Sequence, residues 1–258
     1  MVSLAFLFVG VPLVYLLARG LKLRPKPIVI AAPGREAKMT FFVIVIVYVT
    51  TALLAVFDYV VLTPSLHLDP SSLGPVNVLF QVPYYIGWLL PVVIVMRRTK
   101  QNRGSIGISR EYIGRNLVVG FALSAVLFAA GGFLASSLGG GFAGFSASLV
   151  YGFVVFVFAG FREELVWRGY IQTRLVAYGG TLKGLAATAI IFTLLHFPVR
   201  YYKLSGVPLD ALASAFLLFP LSLLFGYMMW RTQNVIPSSV FHIIYNWSIA
   251  SVWLIPAY

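Results

Sequence analysis

Residues 39–62 read MTFFVIVIVYVTTALLAVFDYVVL, a run of 24 residues in which Asp58 is the one charged side chain. A helix needs about 20 predominantly apolar residues to cross the hydrocarbon core of a bilayer. The rest of the chain has the same character, since 60% of its 258 residues are hydrophobic and only 10% are charged. This composition is too apolar for the surface of a soluble domain. The sequence therefore predicts an all-α fold, a polytopic integral membrane helical bundle.

Eight apolar runs can be interpreted as transmembrane helices, which gives a count of about eight. The fifth and sixth runs are short enough to need shelter from neighbouring helices. We expect a single integral membrane domain over residues 1–258. It has four N-terminal spans in 1–145, followed in 146–258 by the core spans that carry the candidate catalytic residues. The apolar runs are 2–18, 39–62, 78–96, 117–138, 147–161, 184–198, 211–230 and 235–255.

Basic residues collect in alternate connecting segments. Seventeen of the nineteen Lys and Arg follow the first, third, fifth or seventh run, including Arg162, Arg168 and Arg174 after the fifth. Only Arg200 and Lys203 fall on the other side. Because Lys and Arg accumulate in cytoplasmic loops, this bias places both chain termini outside. It also explains the net charge of +12 through orientation and contact with anionic membrane lipid, so no nucleic-acid partner is expected.

Two adjacent carboxylates follow the fifth run. An ionisable residue at membrane depth costs about 2.5–3.5 kcal/mol on insertion scales, so each one is a candidate for function. On a helix, Glu164 and Arg168 share a face in the favourable order, whereas Glu163 lies about 100° around the helix. The two carboxylates can therefore have different roles. Taken alone, the segment is also typical of an ion-paired helix end at the cytoplasmic boundary.

Two later segments carry the remaining polar groups of interest. Phe192 lies one turn before His196. Pro198 is expected to discourage further helix, which predicts that His196 is near a helix end. His242 and Asn246 share one face of the last span. Each segment alone is compatible with helix–helix hydrogen bonding. Together with the two glutamates, they predict one polar cavity formed by three segments that are distant in the chain.

The three patterns occur in a defined order along the chain. They are Glu-Glu-x-x-x-Arg at 163–168, Phe-x-x-x-His at 192–196 and His-x-x-x-Asn at 242–246. In a polytopic membrane protein, this set resembles the type II CAAX prenyl endopeptidases and their prokaryotic relatives, the CAAX protease and bacteriocin-processing (Abi) family. One such motif is weak, but three in order are fairly specific. The resemblance covers about residues 150–250.

The resemblance implies an intramembrane glutamate endopeptidase that cuts near the C-terminus of a protein or peptide substrate from the cytoplasmic side. Such a substrate can be isoprenylated at a C-terminal CAAX motif. Glu163, helped by His196, would activate a water molecule, and His242 and Asn246 would stabilise the oxyanion. Neither a cofactor nor a metal ion is implied. The residues that would shape the cavity or bind substrate are Glu164, Arg168 and Phe192.

A zinc mechanism and a non-enzymatic function are alternatives for the same residues. Glu163, His196 and His242 form a plausible ligand set for zinc, although Arg168 disfavours a cation and the chain lacks His-Glu-x-x-His. A non-enzymatic transporter or immunity protein would tolerate the loss of Glu163. The absence of cysteine excludes a thiol nucleophile.

Three further ionisable residues precede the motifs. Asp58 could relay protons, but its place late in the second span favours a position near the outer interface. His67 and Asp69 are predicted to be solvated.

Overall fold

The computed structural model describes residues 2–67, 73–204 and 206–254, so Asp69 lies outside the described residues. His67 is exposed, as predicted. Within these ranges the regular secondary structure is helical except for one antiparallel pairing of two residues on each side. The prediction of an all-α membrane bundle is confirmed.

Eight helical segments make up the described part of the chain. They are α1 (Val2–Gly20), α2 (Pro33–Ser65), α3 (Pro75–Arg98), α4 (Ile113–Ser137), α5 (147–179), α6 (Thr181–Lys203), α7 (Pro208–Thr232) and α8 (Ile236–Trp247). The other elements are a 3₁₀ turn (Arg103–Ile106) and the paired strands β1 (Gly141–Phe142) and β2 (Trp253–Leu254).

Several of these segments change geometry along their length. α2 contains a π-helical turn at Phe57–Leu62, between Pro33–Val56 and Thr63–Ser65. α5 consists of Ala147–Glu164, the π-helical Leu165–Gln172 and Thr173–Gly179. Three segments are each made of two helices, which are Pro75–Leu79 with Gln81–Arg98, Thr181–Leu195 with Phe197–Lys203, and Pro208–Phe216 with Phe219–Thr232. A π-helical turn at Ser248–Val252 follows α8.

The eight segments overlap the eight predicted runs. Five of them, α2, α3, α4, α6 and α7, are long and apolar enough to cross a membrane. The predicted count of eight spans stays a prediction for the other three. α1 provides only a shorter apolar helix, Phe6–Gly20, whereas α5 carries several charges in its second half.

The turns that connect the helices lie at two opposite ends of the bundle. At one end, the Ile28 backbone nitrogen donates to Gln233 Oε1 at 2.8 Å, and Asn234 Nδ2 donates to the Ser109 carbonyl oxygen at 3.0 Å. We call this the basic end, and the segments that meet there are 21–32, 99–112, 180 and 233–235. Most of the basic loop residues belong to these segments or flank them.

The other end, which we call the distal end, holds residues 66–67, 73–74, 138–146, 204 and 206–207 and the paired strands. There the Leu73 backbone nitrogen donates to Ser148 Oγ at 3.0 Å. The Ala143 backbone nitrogen donates to the Val252 carbonyl oxygen at 2.9 Å. Each helix therefore runs from one end of the bundle to the other.

Three arginines that the sequence predicted in a cytoplasmic segment are buried inside the bundle. Arg162 is 4% exposed, and Arg168 and Arg174 are 0% exposed. The predicted end of the fifth span at residue 161 was wrong, because the helix continues to Gly179. The charges can be buried because carboxylates, hydroxyls and aromatic faces surround them. Arg174, for example, pairs with Glu36 at 3.6 Å.

The helices α5 and α8 approach each other closely. A Cβ atom on Gly160 of α5 would lie 2.8 Å from Ile243 Cγ1 of α8. On the opposite side of α8, a Cβ atom on Gly120 of α4 would lie 3.0 Å from the Pro237 carbonyl oxygen. Small residues at helix contacts let membrane helices pack with their backbones close together. This packing sets the distance between the acidic motif on α5 and the polar face of α8.

Candidate active site

Glu163 and Glu164 lie where α5 changes from α-helical to π-helical geometry. π-helical turns inside α-helices are rare and are frequently found at functional sites. All residues from 164 to 172 are buried, whereas the Glu163 side chain keeps 13% of its surface exposed. The two neighbouring carboxylates therefore have different environments, and only Glu163 can meet solvent or substrate.

Glu164 belongs to a buried polar network. Its Oε2 lies 3.7 Å from Arg168 Nε, and both side chains are 0% exposed. These two residues share a helix face, as the sequence predicted. Arg168 Nη2 also donates to Ser222 Oγ at 3.1 Å, and its guanidinium carbon lies 4.3 Å from the ring centre of Phe192. These contacts offset the cost of burying the charges.

His242 lies between the two glutamates. Its Nδ1 is 2.9 Å from Glu164 Oε1, and its Nε2 is 3.8 Å from Glu163 Oε2. Because a carboxylate can only accept, Nδ1 donates the hydrogen bond to Glu164. The ring of Phe225 stacks on the imidazole at 4.6 Å with an interplanar angle of 24°. Glu164 and Phe225 together hold His242 with Nε2 directed to the side of Glu163.

Glu163 has a second charged neighbour that the sequence analysis missed. Arg162 Nη2 lies 3.5 Å from Glu163 Oε1, and Arg162 Nη1 donates to Gln81 Oε1 at 3.0 Å. The guanidinium carbon is 4.9 Å from the ring centre of Tyr84 and 4.7 Å from that of Trp88. Aromatic faces stabilise a buried cation in this geometry. The sequence feature that could have indicated this contact is the position of Arg162 directly before the acidic pair.

His196 lies at the junction of the two helices of α6. Its Nδ1 is 2.9 Å from the Phe192 carbonyl oxygen, so Nδ1 carries the proton and Nε2 of the neutral ring is an acceptor. The prediction that His196 lies near a helix end is confirmed. The expectation that Pro198 would discourage further helix was wrong, because Pro198 occupies the first turn of Phe197–Lys203, where proline is tolerated.

Two cavities meet at Glu163 and His196. The first, which we call the aromatic cavity, has a volume of about 310 Å³ and lies between α2, α3, α5 and α6. The second, which we call the arginine cavity, has a volume of about 350 Å³ and lies between α5, α6, α7 and α8. The side chains that line both are Phe156, Glu163, His196, Val199 and Lys203.

The arginine cavity contains all four predicted catalytic residues. Glu163, His196, His242 and Asn246 all line it, so the three distant motifs are brought together as expected. Asn246 is half-buried, and its side chain makes no hydrogen bond to another described residue. Its carboxamide is therefore available to a ligand.

The residues predicted to shape the cavity or bind substrate lie deeper. Glu164 and Arg168 line neither cavity, because their side chains are enclosed by the network with His242 and Ser222. Phe192 is 3% exposed and packs with its ring centre 4.7 Å from that of His196. This placement favours a role in holding the imidazoles and leaves little surface for substrate.

The first four spans also contribute residues to the site. α2 and α3 supply one wall of the aromatic cavity, including Tyr84 and Trp88. Asp58 also lines this cavity and accepts a hydrogen bond from Thr63 Oγ1 at 3.3 Å. Sequence periodicity carries no information on which of these distant helices would face α5, so these residues could not be identified from it.

The described residues contain no group of three or more His, Asp or Glu side chains placed to hold a metal ion. Glu163, His196 and His242, which form the alternative zinc set, all line one cavity but do not form such a group. The geometry gives no support to the zinc alternative.

An acid–imidazole pair and an available amide that line one cavity of a helical bundle have the chemistry of a hydrolytic site. Comparison with protein families points to the same class. Residues 145–248 match the family model described as "Type II CAAX prenyl endopeptidase Rce1-like", over 104 of the 258 residues. The match agrees with the family that the three motifs predicted, and because this is a family of proteases it supports a peptide hydrolase in the membrane. Neither the comparison with curated proteins nor the comparison with solved structures gives a match.

Proposed function

We propose that this protein hydrolyses a peptide bond with a water molecule activated by Glu163. The observation that carries the proposal is the position of Glu163. It is the acidic side chain shared by the two cavities, and it lies within 3.8 Å of His242 Nε2. A general base must be placed where both water and substrate can reach it. Glu164, which is fully buried, does not meet this requirement.

The reaction follows from the chemistry of these side chains. Glu163, with His196 beside it, takes a proton from water, and the water oxygen bonds to the carbonyl carbon of the scissile peptide. The negative charge that develops on the carbonyl oxygen is stabilised by a hydrogen bond from Asn246 Nδ2 and, when the His242 ring carries a second proton, by one from His242 Nε2. When the C–N bond breaks, the proton held by Glu163 passes to the leaving nitrogen. Hydrolysis is then complete, with one water consumed and a new carboxylate and amine formed.

The aromatic cavity supports an apolar substrate group next to the scissile bond. Phe80, Tyr84 and Trp88 line its wall, and its volume is about 310 Å³. An isoprenyl group is a flexible apolar chain that such a cavity can hold. We propose a prenylated C-terminal peptide as the substrate class. Both cavities lie in the distal half of the bundle, away from the basic end, and entry from the cytoplasmic side stays a prediction.

The test is cleavage of a prenylated CAAX peptide by purified protein in proteoliposomes. Glu163→Gln keeps the shape of the side chain and removes its basicity, so the rate should fall by about 10²- to 10⁴-fold. Glu111→Gln is the matched control, because Glu111 lies in an exposed turn at the basic end. It should cleave at the wild-type rate. Cleavage by folded Glu163→Gln at the wild-type rate contradicts the proposal and favours a transporter or immunity protein.

A further inference from the structure

Two basic residues near the distal end line the arginine cavity and have no acidic partner. Arg200 and Lys203 are the only Lys or Arg side chains in the lining of this cavity. Among the described residues, neither forms a salt bridge, and their side chains make no hydrogen bond. Asp58 faces Lys203 from the aromatic cavity but lies beyond ion-pair distance. Arg200 is half-buried and Lys203 is exposed beside the cavity, so both cations are accessible to an anionic ligand.

The spacing along α6 indicates where that anion would lie. The Arg200 backbone nitrogen donates to the His196 carbonyl oxygen at 3.0 Å, so the helix is regular across this step. Arg200 is therefore about 6 Å and Lys203 about 10 Å beyond His196 along the helix axis. An extended peptide advances about 3.3 Å per residue. The two cations lie about two to three peptide residues from a bond held at His196.

We propose that Arg200, assisted by Lys203, binds the free α-carboxylate at the C-terminus of the substrate. This inference rests on the proposed peptidase function and deepens it. An arginine guanidinium binds a carboxylate through two parallel hydrogen bonds, which fixes both position and orientation. The protein would thereby select bonds close to a chain end. The leaving fragment occupies the arginine cavity, and the preceding part of the substrate occupies the aromatic cavity.

The experiment compares two prenylated peptides of identical sequence, one ending in a free carboxylate and the other in a carboxamide. Wild-type protein should cleave the acid about 10- to 100-fold faster in kcat/KM, mainly through a lower KM. Arg200→Gln should reduce cleavage of the acid to the level of the amide and leave the amide unchanged. Arg200→Lys should restore part of the difference, and Lys203→Gln should have a smaller effect in the same direction.

Arg98→Gln is the matched control, because Arg98 is exposed at the basic end, and it should keep the full preference for the acid. Equal cleavage of the two peptides by wild-type protein, abolished by Glu163→Gln, overturns the carboxylate site and leaves the peptidase function intact. Loss of cleavage of both peptides in Arg200→Gln, with an unchanged melting temperature, also overturns it. If the wild-type protein cleaves neither peptide, both proposals fail.

Discussion

Two regions of the bundle contain an ion pair of the same chemistry and almost the same length. At the basic end, Glu36 Oε2 lies 3.6 Å from Arg174 Nε, and both side chains are 0% exposed. Near the middle, Glu163 Oε1 lies 3.5 Å from Arg162 Nη2, with Glu163 at 13% exposure and beside two cavities. A buried charge pair inside a membrane bundle is thus not by itself a sign of catalysis. Access to water and substrate separates the site from the structural pair.

The surroundings of the two arginines show the same difference. Arg174 donates to the Ser105 carbonyl oxygen at 2.7 Å and to Ser105 Oγ at 3.0 Å, which joins α5 to the 3₁₀ turn. Arg162 is held by Gln81 and by aromatic rings that also form the wall of a cavity. The first arginine stabilises the junction of two elements. The second supports a carboxylate that faces open space.

Among the variants that test this comparison, Asn246→Ala, in the arginine cavity, should have the largest effect on the cleavage rate. Removing one donor to a developing oxyanion typically costs about 10²- to 10³-fold in rate. Because Asn246 makes no hydrogen bond to another described residue, the melting temperature should change little. Cleavage of the peptide acid and thermal unfolding are measured together. Asn102→Ala, in the basic end, is the control, and equal rates for the two variants would remove Asn246 from the mechanism.

For Glu36→Gln, at the structural pair, we expect a loss of stability and an unchanged kcat. It leaves Arg174 buried without its counter-charge, and breaking a buried pair typically costs about 3–5 kcal/mol. The hydrogen bonds from Arg174 to Ser105 remain, so we expect the lower part of this range. Unfolding in detergent should show the loss, while kcat of the folded fraction stays at the wild-type value. A large fall in kcat without destabilisation would remove the distinction between the two regions.

A smaller effect is expected for Ser222→Ala, which removes the hydroxyl that accepts from Arg168 at 3.1 Å. A hydrogen bond to a charged group contributes about 1.5–3 kcal/mol, and the Ser222 carbonyl oxygen still accepts from Arg168. We expect a loss of about 1.5 kcal/mol in the free energy of unfolding. Ser137→Ala, at an exposed position, should stay within about 0.5 kcal/mol of wild type. If the two variants unfold at the same temperature, the Arg168 network contributes less to stability than its geometry indicates.

No effect is expected from a strong metal chelator in the cleavage assay. In the described residues, the carboxylates and imidazoles bind one another and basic side chains. The rate should therefore be the same before and after dialysis against the chelator. Loss of activity that added zinc restores would revive the metal alternative and assign Glu163 a ligand role.

Much of this site could be predicted from the sequence, and the limits have physical causes. The spacing of Glu164 and Arg168 predicts a shared face because helical geometry is local. The order of the three motifs predicts the family, which the match over 145–248 confirms. The bridge from His242 to both glutamates could not be predicted, because it depends on how closely α8 packs against α5. The continuation of α5 beyond residue 161 was also missed, since charged residues resemble a loop until their buried partners are known.

The apolar composition was enough to predict a helical membrane bundle, because lipid leaves the backbone few ways to satisfy its hydrogen bonds. The motif spacings were enough to nominate the acid, the imidazoles and the amide. Three-dimensional packing was needed to find that Glu163 lines two cavities whereas its neighbour Glu164 is fully buried. Burial and cavity shape arise from contacts between helices that no local pattern encodes.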